Sequence, residues 1–92
     1  MTMETTSRAT LQLTVRYFAA ARTAAGGETE TVRVEPGATI ADLVETLAAR
    51  GPELARVLRR CSFLRDGVAV RDEAIKLSDG QTIDVLPPFA GG

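Results

Sequence analysis

The stretch that decides the fold is residues 39–52, TIADLVETLAARGP, which carries the clearest helix signal in the chain. Thr39 followed three residues later by Asp42 resembles a capping box, in which side chains bind the free N–H groups of the first helical turn. Apolar residues then recur at helical spacing and form one stripe: Ile40, Leu43, Val44, Leu47 and Ala48. Gly51 and Pro52 are expected to end the helix. A stripe of this width predicts a helix that packs on a sheet and anchors the core.

The sequence before this helix predicts two strands that pair antiparallel. Residues 10–18, TLQLTVRYF, alternate between apolar and polar positions, which is the period of a half-buried strand. Residues 28–34, ETETVRV, also place apolar side chains on one face and end at a Pro-Gly turn. Between the two strands, AAARTAA predicts a short helix closed by Gly26 and Gly27.

The sequence after the main helix predicts a short helical piece and three further strands. The helical piece covers residues 53–60, and an Asp-Gly pair predicts a hairpin between strands at residues 62–65 and 68–70. A loop leads to the final strand at residues 82–86, which two prolines end. This order of elements predicts a compact α+β fold with four or five strands and one dominant helix.

Composition limits what the chain can do by itself. Eleven basic and twelve acidic residues nearly cancel, so the net charge gives no attraction to nucleic acid or to an anionic membrane. Histidine is absent and Cys61 is the single cysteine, which excludes His-based metal sites and Ser-His or Cys-His nucleophiles within this chain. No phosphate-binding glycine motif occurs. We therefore expect the protein to enter chemistry as a substrate or carrier that binds no cofactor itself.

The chain is predicted to form one domain with two extensions. Residues 1–9 are polar and are expected to be a flexible leader, residues 10–86 the folded domain, and residues 87–92 an extended tail. The leader lacks the hydrophobic centre of a secretory signal, and no apolar run reaches the roughly 18 residues that a membrane span needs. These features favour a cytoplasmic location.

Two features of the sequence leave alternatives open. The tail reads PPFAGG, and it is either a frayed end or a device that presents the carboxylate of Gly92 as the working group. Five arginines cluster between the main helix and the third strand: Arg50, Arg56, Arg59, Arg60 and Arg65. The cluster is either a solvated helical face or a docking patch for an acidic partner, because guanidinium groups pair well with carboxylates.

Two segments resemble a known family. Phe18, Ala19 and Arg22 match an F-A-x-x-R motif that follows the first strand in the MoaD group of the MoaD/ThiS sulfur carriers, and LSDGQTIDVLPPFAGG is similar to the C-terminal signature of that group. The resemblance extends from Leu11 to Gly92. It implies a ubiquitin-like β-grasp fold of the α+β class, with a four- to five-stranded mixed sheet and one main helix packed on one face.

The resemblance also implies a function. The carboxylate of Gly92 would be adenylated by a separate MoeB/ThiF-like activating enzyme that uses ATP, and a donor such as a cysteine desulfurase or a rhodanese would supply sulfur to form a thiocarboxylate. The loaded carrier would then join a MoaE-like large subunit as the small subunit of molybdopterin synthase. There it would donate sulfur for molybdenum cofactor synthesis.

Each tail residue receives a role from this comparison and from elementary sterics. Pro87 and Pro88 restrict φ and project the tail, Gly91 threads a narrow channel because it has no Cβ, and Gly92 carries the reactive group. The remaining residues assigned to partner binding are Leu86, Phe89, Ala90 and Arg22. Many family members have an aromatic residue where this chain has Leu86, and a small residue where it has Phe89. An alternative interpretation is open for each of two residues. The Phe89 side chain could fold onto the domain's own sheet. Arg22 could be a surface residue that caps a short helix through the attraction between its charge and the helix dipole.

Other functions stay open beside this one. The sulfur could go to thiazole synthesis, cysteine synthesis or tRNA thiolation. The same activated tail would also serve a ubiquitin-like modifier joined to protein lysines. A third class is a β-grasp binding module whose terminal glycines have no role.

Overall fold

The computed structural model describes residues 10–88, and the predictions made for residues 1–9 and 89–92 lie outside the described part. The described chain forms a five-stranded sheet in the order β2-β1-β5-β3-β4. The elements in chain order are β1 Leu11–Tyr17, α1 Ala20–Ala25, β2 Thr29–Val34, α2 Ile40–Ala48, α3 Pro52–Leu58, β3 Ser62–Arg65, β4 Val68–Ala69 and β5 Thr82–Leu86.

The sheet is mixed, as predicted. Strands β1 and β2 pair antiparallel, and β5 pairs with β3 in the same manner. The central pair, β1 with β5, is parallel. Strand β5, the last strand between residues 10 and 88, therefore lies in the middle of the sheet, held by hydrogen bonds on both of its edges. This arrangement confirms the predicted α+β class.

Helix α2 begins as the sequence predicts. The Thr39 hydroxyl accepts a hydrogen bond from the Asp42 N–H at 3.2 Å, and the Asp42 carboxylate accepts one from the Thr39 N–H at 2.9 Å. The stripe faces the sheet, although Val44 and Ala48 are only half-buried. The fully buried members are Ile40, Leu43 and Leu47.

Gly51 and Pro52 start a helix as well as following one. Gly51 is the N-cap of α3 and Pro52 is its first residue. Proline suits this position because the first N–H groups of a helix have no intrahelical partner and its fixed φ is already helical. Helix α3 therefore begins at Pro52 and ends at Leu58, earlier at both ends than the prediction of residues 53–60. Helices α1 and α3 contact each other, and α2 is the longest of the three helices between residues 10 and 88, which agrees with the prediction of one dominant helix.

A polar cluster ties four elements together beside the core. The Tyr17 hydroxyl on β1 donates a hydrogen bond to the Glu30 carboxylate on β2, which also pairs with the Arg50 guanidinium just after α2. Arg50 donates a second hydrogen bond to the Ala25 carbonyl at the end of α1, at 3.1 Å. Burial raises the pKa of the Tyr17 phenol, and the hydrogen bond to Glu30 raises it further.

The buried tyrosine gives a test by alkaline titration. Tyr17 is the only tyrosine in the sequence. In a titration from neutral to strongly alkaline pH, the absorbance of phenolate therefore reports the ionisation of this one group. The pKa of the Tyr17 phenol is raised in the folded state. The contribution of this protonated phenol to the free energy of unfolding is therefore complete below the ordinary phenol pKa of about 10, and it is lost as the pH rises above that value. We expect ionisation to begin above the pH at which free tyrosine ionises. Glu30→Gln should bring the onset to lower pH, whereas titration of the native protein at the pH of free tyrosine would contradict the geometry of the cluster.

Candidate functional site

The site lies where the central strand β5 ends. Val85 pairs with Tyr17 at the end of β1, and Leu86 pairs with Ser62 at the start of β3. The chain therefore leaves the sheet between two neighbouring strands. Leu86 and Pro87 are half-buried, and Pro88 is exposed. The base of the tail thus has a fixed position and direction.

A tight turn after β1 flanks one side of this exit. The Phe18 N–H donates to the Val85 carbonyl at 3.2 Å, and the Phe18 carbonyl accepts from the Ala21 N–H at 3.0 Å. Ala19, between them, has φ 52° and ψ −127°. These angles fit the first central position of a type II′ turn, which normally holds glycine. The turn sets the direction of α1, which carries the exposed Arg22.

Ala19→Gly is expected to stabilise the fold. A non-glycine residue at this backbone conformation costs on the order of 1–3 kcal/mol, and glycine adopts it without the clash of Cβ. Part of the gain is offset because glycine has more freedom in the unfolded chain. We expect the free energy of unfolding to rise by up to about 1 kcal/mol in urea denaturation. Ala20→Gly, in the first turn of α1, is the matched control and should destabilise; a loss of stability in both variants would contradict the strain at Ala19.

An ion pair lies on the sheet face opposite the helices, close to the exit. Arg16 Nε and Asp84 Oδ1 are 2.6 Å apart, and Arg16 Nη2 and Asp84 Oδ2 are 2.8 Å apart. The Asp84 side chain is 7% exposed and that of Arg16 is 49% exposed. The hydrogen bonds that Arg16 donates to the Asp84 carboxylate raise the pKa of the Arg16 guanidinium, and the attraction between the two charges raises it further. The guanidinium also lies 5.7 Å from the centre of the Phe18 ring, so the pair connects the turn to β5.

The site residues named from the sequence fall into two groups. Arg22, Leu86, Pro87 and Pro88 lie at the same end of the sheet, the first near the turn and the others on the exit itself. Arg22 is 3.5 Å from the Glu28 carboxylate, and both side chains are more than half exposed. The other assigned residues lie outside the described part: Phe89, Ala90, Gly91 and Gly92. Sequence analysis missed Asp84 and Arg16, although alternation in each strand places both on the polar face.

The described residues offer little chemistry of their own. Burial raises the pKa of the Cys61 thiol, which donates a hydrogen bond to the Val57 carbonyl at 3.2 Å. The thiol form is thereby favoured over the reactive thiolate. Between residues 10 and 88 no group of three or more His, Cys, Asp or Glu side chains could hold a metal ion. In that same range no helix is long and apolar enough to cross a bilayer.

Comparison with known proteins gives a consistent result. Residues 15–92 match the ThiS family. The chain is 34% identical over 83 residues to the molybdopterin synthase sulfur carrier subunit of Chlamydomonas reinhardtii, covering 89% of this chain and 100% of that protein. It is 32% identical over 92 residues to small archaeal modifier protein 3 of Haloferax volcanii, covering 89% of this chain and 100% of that protein.

A solved structure extends the likeness to three dimensions. The solution structure of a Haloferax volcanii protein superposes with a TM-score of 0.80 at 33% identity, covering 90% of this chain and 88% of that one. This likeness confirms the predicted ubiquitin-like β-grasp fold, in which a mixed sheet packs against a main helix.

Proposed function

The chain belongs to the ThiS family, and from that premise we propose that it is a sulfur carrier for molybdopterin synthesis that is loaded at the carboxylate of Gly92. At the coarser level it is a sulfur carrier or ubiquitin-like small modifier of the MoaD/ThiS type, homologous to the carrier subunit of molybdopterin synthase. The observation that carries the finer proposal is the position of β5. The central strand, fixed on both edges, leads directly into Pro87, Pro88 and the residues after them.

The chemistry follows from the state of a carboxylate. An α-carboxyl group has a pKa of about 3.3–3.7, so at neutral pH Gly92 is ionised and resists nucleophiles. One carboxylate oxygen attacks the α-phosphorus of ATP, and pyrophosphate leaves. A sulfur nucleophile at the oxidation level of sulfide then attacks the carbonyl carbon and displaces AMP. Loss of the sulfur-bound proton gives the thiocarboxylate.

In this scheme the folded domain is the part of the chain that the partner proteins bind. Adenylation requires a MoeB/ThiF-like enzyme that binds ATP. A cysteine desulfurase or a rhodanese would hold the sulfur as a persulfide, and a thiol that is itself oxidised to a disulfide would release this sulfur at the oxidation level of sulfide. The thiocarboxylate then enters the active site of a MoaE-like large subunit. Pro88 lies on the tail itself, and the turn at Phe18 and Ala19 lies beside the point where the tail leaves the sheet, which these partners would have to reach. Arg22, on α1 just after this turn, is the proposed contact for the activating enzyme.

A second function is favoured by one specific likeness. The match to a small archaeal modifier protein covers the whole of that relative, so conjugation to protein lysines is the alternative use of the same activated tail. Both functions begin with adenylation. They separate at the next step, where either sulfur or an amine displaces AMP.

Intact-mass measurement tests both functions. The purified protein is incubated with ATP, a sulfur donor and a lysate of its source organism. Replacement of one oxygen by sulfur at the C-terminus supports the carrier, and covalent attachment to other proteins supports the modifier. A known carrier is added to a parallel sample as the control. If the control is loaded and this chain shows neither change, both functions are wrong.

A further inference from the structure

A buried carboxylate lies on β5 close to the point where the tail leaves the sheet. Asp84 is the only charged residue that is buried among residues 10–88, and it lies two positions before Leu86. Its side chain is on the sheet face opposite the helices, because the next residue, Val85, faces the core. Arg16 is its direct cross-strand partner on β1. A buried carboxylate is costly without a paired cation, so the two side chains are held together at this position.

Strand β5 is held by several hydrogen bonds where it begins. The Gly80 N–H donates to the Gln12 carbonyl at 2.8 Å. The Asp66 carboxylate accepts a hydrogen bond from the Thr82 N–H at 2.9 Å, and the Thr82 carbonyl accepts one from the Asp66 N–H at 2.8 Å. These bonds lie at the end of the strand away from the tail. They fix the start of β5 and leave the position of its last residues to other contacts.

The end of β5 that leads into the tail has a different set of contacts. Pro87 and Pro88 have no N–H group, so neither can donate a further bond to the sheet. The Phe18 N–H donates to the Val85 carbonyl at 3.2 Å, which is longer than the bonds at the start of the strand. Asp84 lies one residue before this bond. Its ion pair therefore adds a side-chain attachment to β1 at the end of the strand where the backbone offers few donors.

Stability alone does not account for such a pair. Desolvation of two charges offsets much of their attraction, and apolar side chains of similar volume often give a fold that is at least as stable. An arginine–carboxylate pair adds geometry, because two parallel N–H···O bonds fix the relative orientation of both groups. The two bonds between Arg16 and Asp84 are 2.6 and 2.8 Å long, and the same guanidinium lies 5.7 Å from the centre of the Phe18 ring. The pair thus fixes the end of β5 to β1 and to the turn that follows β1.

We propose that Arg16 and Asp84 are positioning residues that hold the base of the tail for the protein that receives it, an inference that rests on the proposed function. They act through β5 and need no contact with the reacting carboxylate. With the pair in place, the chain leaves the sheet in one direction, and less conformational entropy is lost when a partner binds the tail. Without the pair, the last residues of β5 detach from β1 more often, and each binding event must order them again.

Removal of both side chains tests this role. The double variant R16A/D84A leaves the net charge at −1. Its matched control is T14A/T82A, a cross-strand pair on the same two strands and the same sheet face, two positions farther from the tail. The measurement is steady-state adenylation by the MoeB/ThiF-like enzyme of the same organism, followed by pyrophosphate release with the carrier as the varied substrate.

The expected effect falls on KM and leaves kcat nearly unchanged. We expect R16A/D84A to raise the KM for the carrier at least about threefold and to change kcat less than about twofold, because the pair acts on binding of the tail and not on the chemical step. The control T14A/T82A should leave both constants within about twofold of the wild type. Circular dichroism checks that each variant is folded at the assay temperature.

Amide hydrogen exchange, measured by NMR, gives a readout that a loss of overall stability would not give. The Phe18 N–H bonds to the end of β5 and reports opening beside the tail. The Thr14 N–H, which donates to the Gln81 carbonyl at 3.0 Å, reports the other end of the same two strands. R16A/D84A should speed exchange at Phe18 at least about fivefold and at Thr14 less than about twofold, whereas a merely less stable domain would speed both equally.

A second variant keeps the test decisive if R16A/D84A does not fold. Asp84→Asn keeps the shape of the side chain and removes its charge, which weakens both hydrogen bonds from Arg16. We then expect the KM for the carrier to rise about twofold or more, with faster exchange at Phe18 than at Thr14. Wild-type values of both quantities in Asp84→Asn would overturn the positioning role.

The outcomes separate the positioning role from the proposed function. If the wild type is adenylated and R16A/D84A matches T14A/T82A in KM and in exchange, the positioning role is overturned while the carrier function stands. If exchange at Phe18 rises and KM does not, the pair holds the strand without serving the tail, and the positioning role is again overturned. If the enzyme adenylates its own verified carrier and leaves this wild-type chain unmodified, the proposed function fails, and this inference fails with it.

Discussion

Deletion of Gly92 is expected to abolish loading of the chain with sulfur and to leave the melting temperature unchanged. The deletion leaves a terminal carboxylate on Gly91, one residue and roughly 3.3–3.6 Å of extended chain short of the proposed position. Misplacement of a reacting group by about 1 Å can cost on the order of 10²-fold in rate. We therefore expect adenylation to fall by at least about 10²-fold, measured by pyrophosphate release and by intact mass.

We expect the stability to be unchanged because the core between residues 10 and 88 is complete without Gly92. The final strand ends at Leu86, and its buried residues Ile83 and Val85 belong to the core. Gly92→Ala is the matched variant, since it keeps the length of the chain and adds only a Cβ. If a narrow channel receives the tail, this variant also loads poorly. Normal loading of the deletion variant would contradict the role of Gly92, and a lower melting temperature would show that the tail supports the fold.

Local patterns predicted the elements that depend on local physics. The capping box and the apolar stripe of α2 lie within a few residues of one another, so the sequence displays them directly. The final strand was predicted as residues 82–86 and is observed as Thr82–Leu86 because alternation and the following prolines define both of its ends. The hairpin at Asp66 and Gly67 was predicted for a similar reason, although β4 is one residue shorter than expected.

Features that depend on distant partners escaped prediction. Arg16 and Asp84 are separated by 68 positions, and no local pattern joins them. The strained conformation of Ala19 was also not anticipated, since alanine prefers a helix and the turn is imposed by the bond from Phe18 to β5. Pro52 was predicted to stop a helix, yet a proline that stops one helix is equally suited to begin the next. The contacts around the start of the tail could therefore be identified only from the three-dimensional structure.

A substitution in the core provides the complementary test to deletion of Gly92. Removing buried side-chain atoms should lower the free energy of unfolding and leave the reactive carboxylate unchanged. Leu43 is 1% exposed on the buried face of α2. Leu43→Ala removes buried methyl groups and leaves a cavity, which costs about 2–5 kcal/mol. A domain of this size has a total stability of roughly 4–12 kcal/mol, so the variant loses a large fraction of it.

Val44→Ala on the same helix is the control for Leu43→Ala. Val44 is half-buried, and alanine has the better helix propensity, so we expect a loss below about 1.5 kcal/mol. Urea denaturation measures both variants, and equal losses would contradict the packing of α2 on the sheet. Below its lowered melting temperature, Leu43→Ala should still be adenylated at a rate close to that of the wild type. Deletion of Gly92 should give the reverse pattern, with full stability and no loading, because the fold and the chemistry depend on separate parts of the chain.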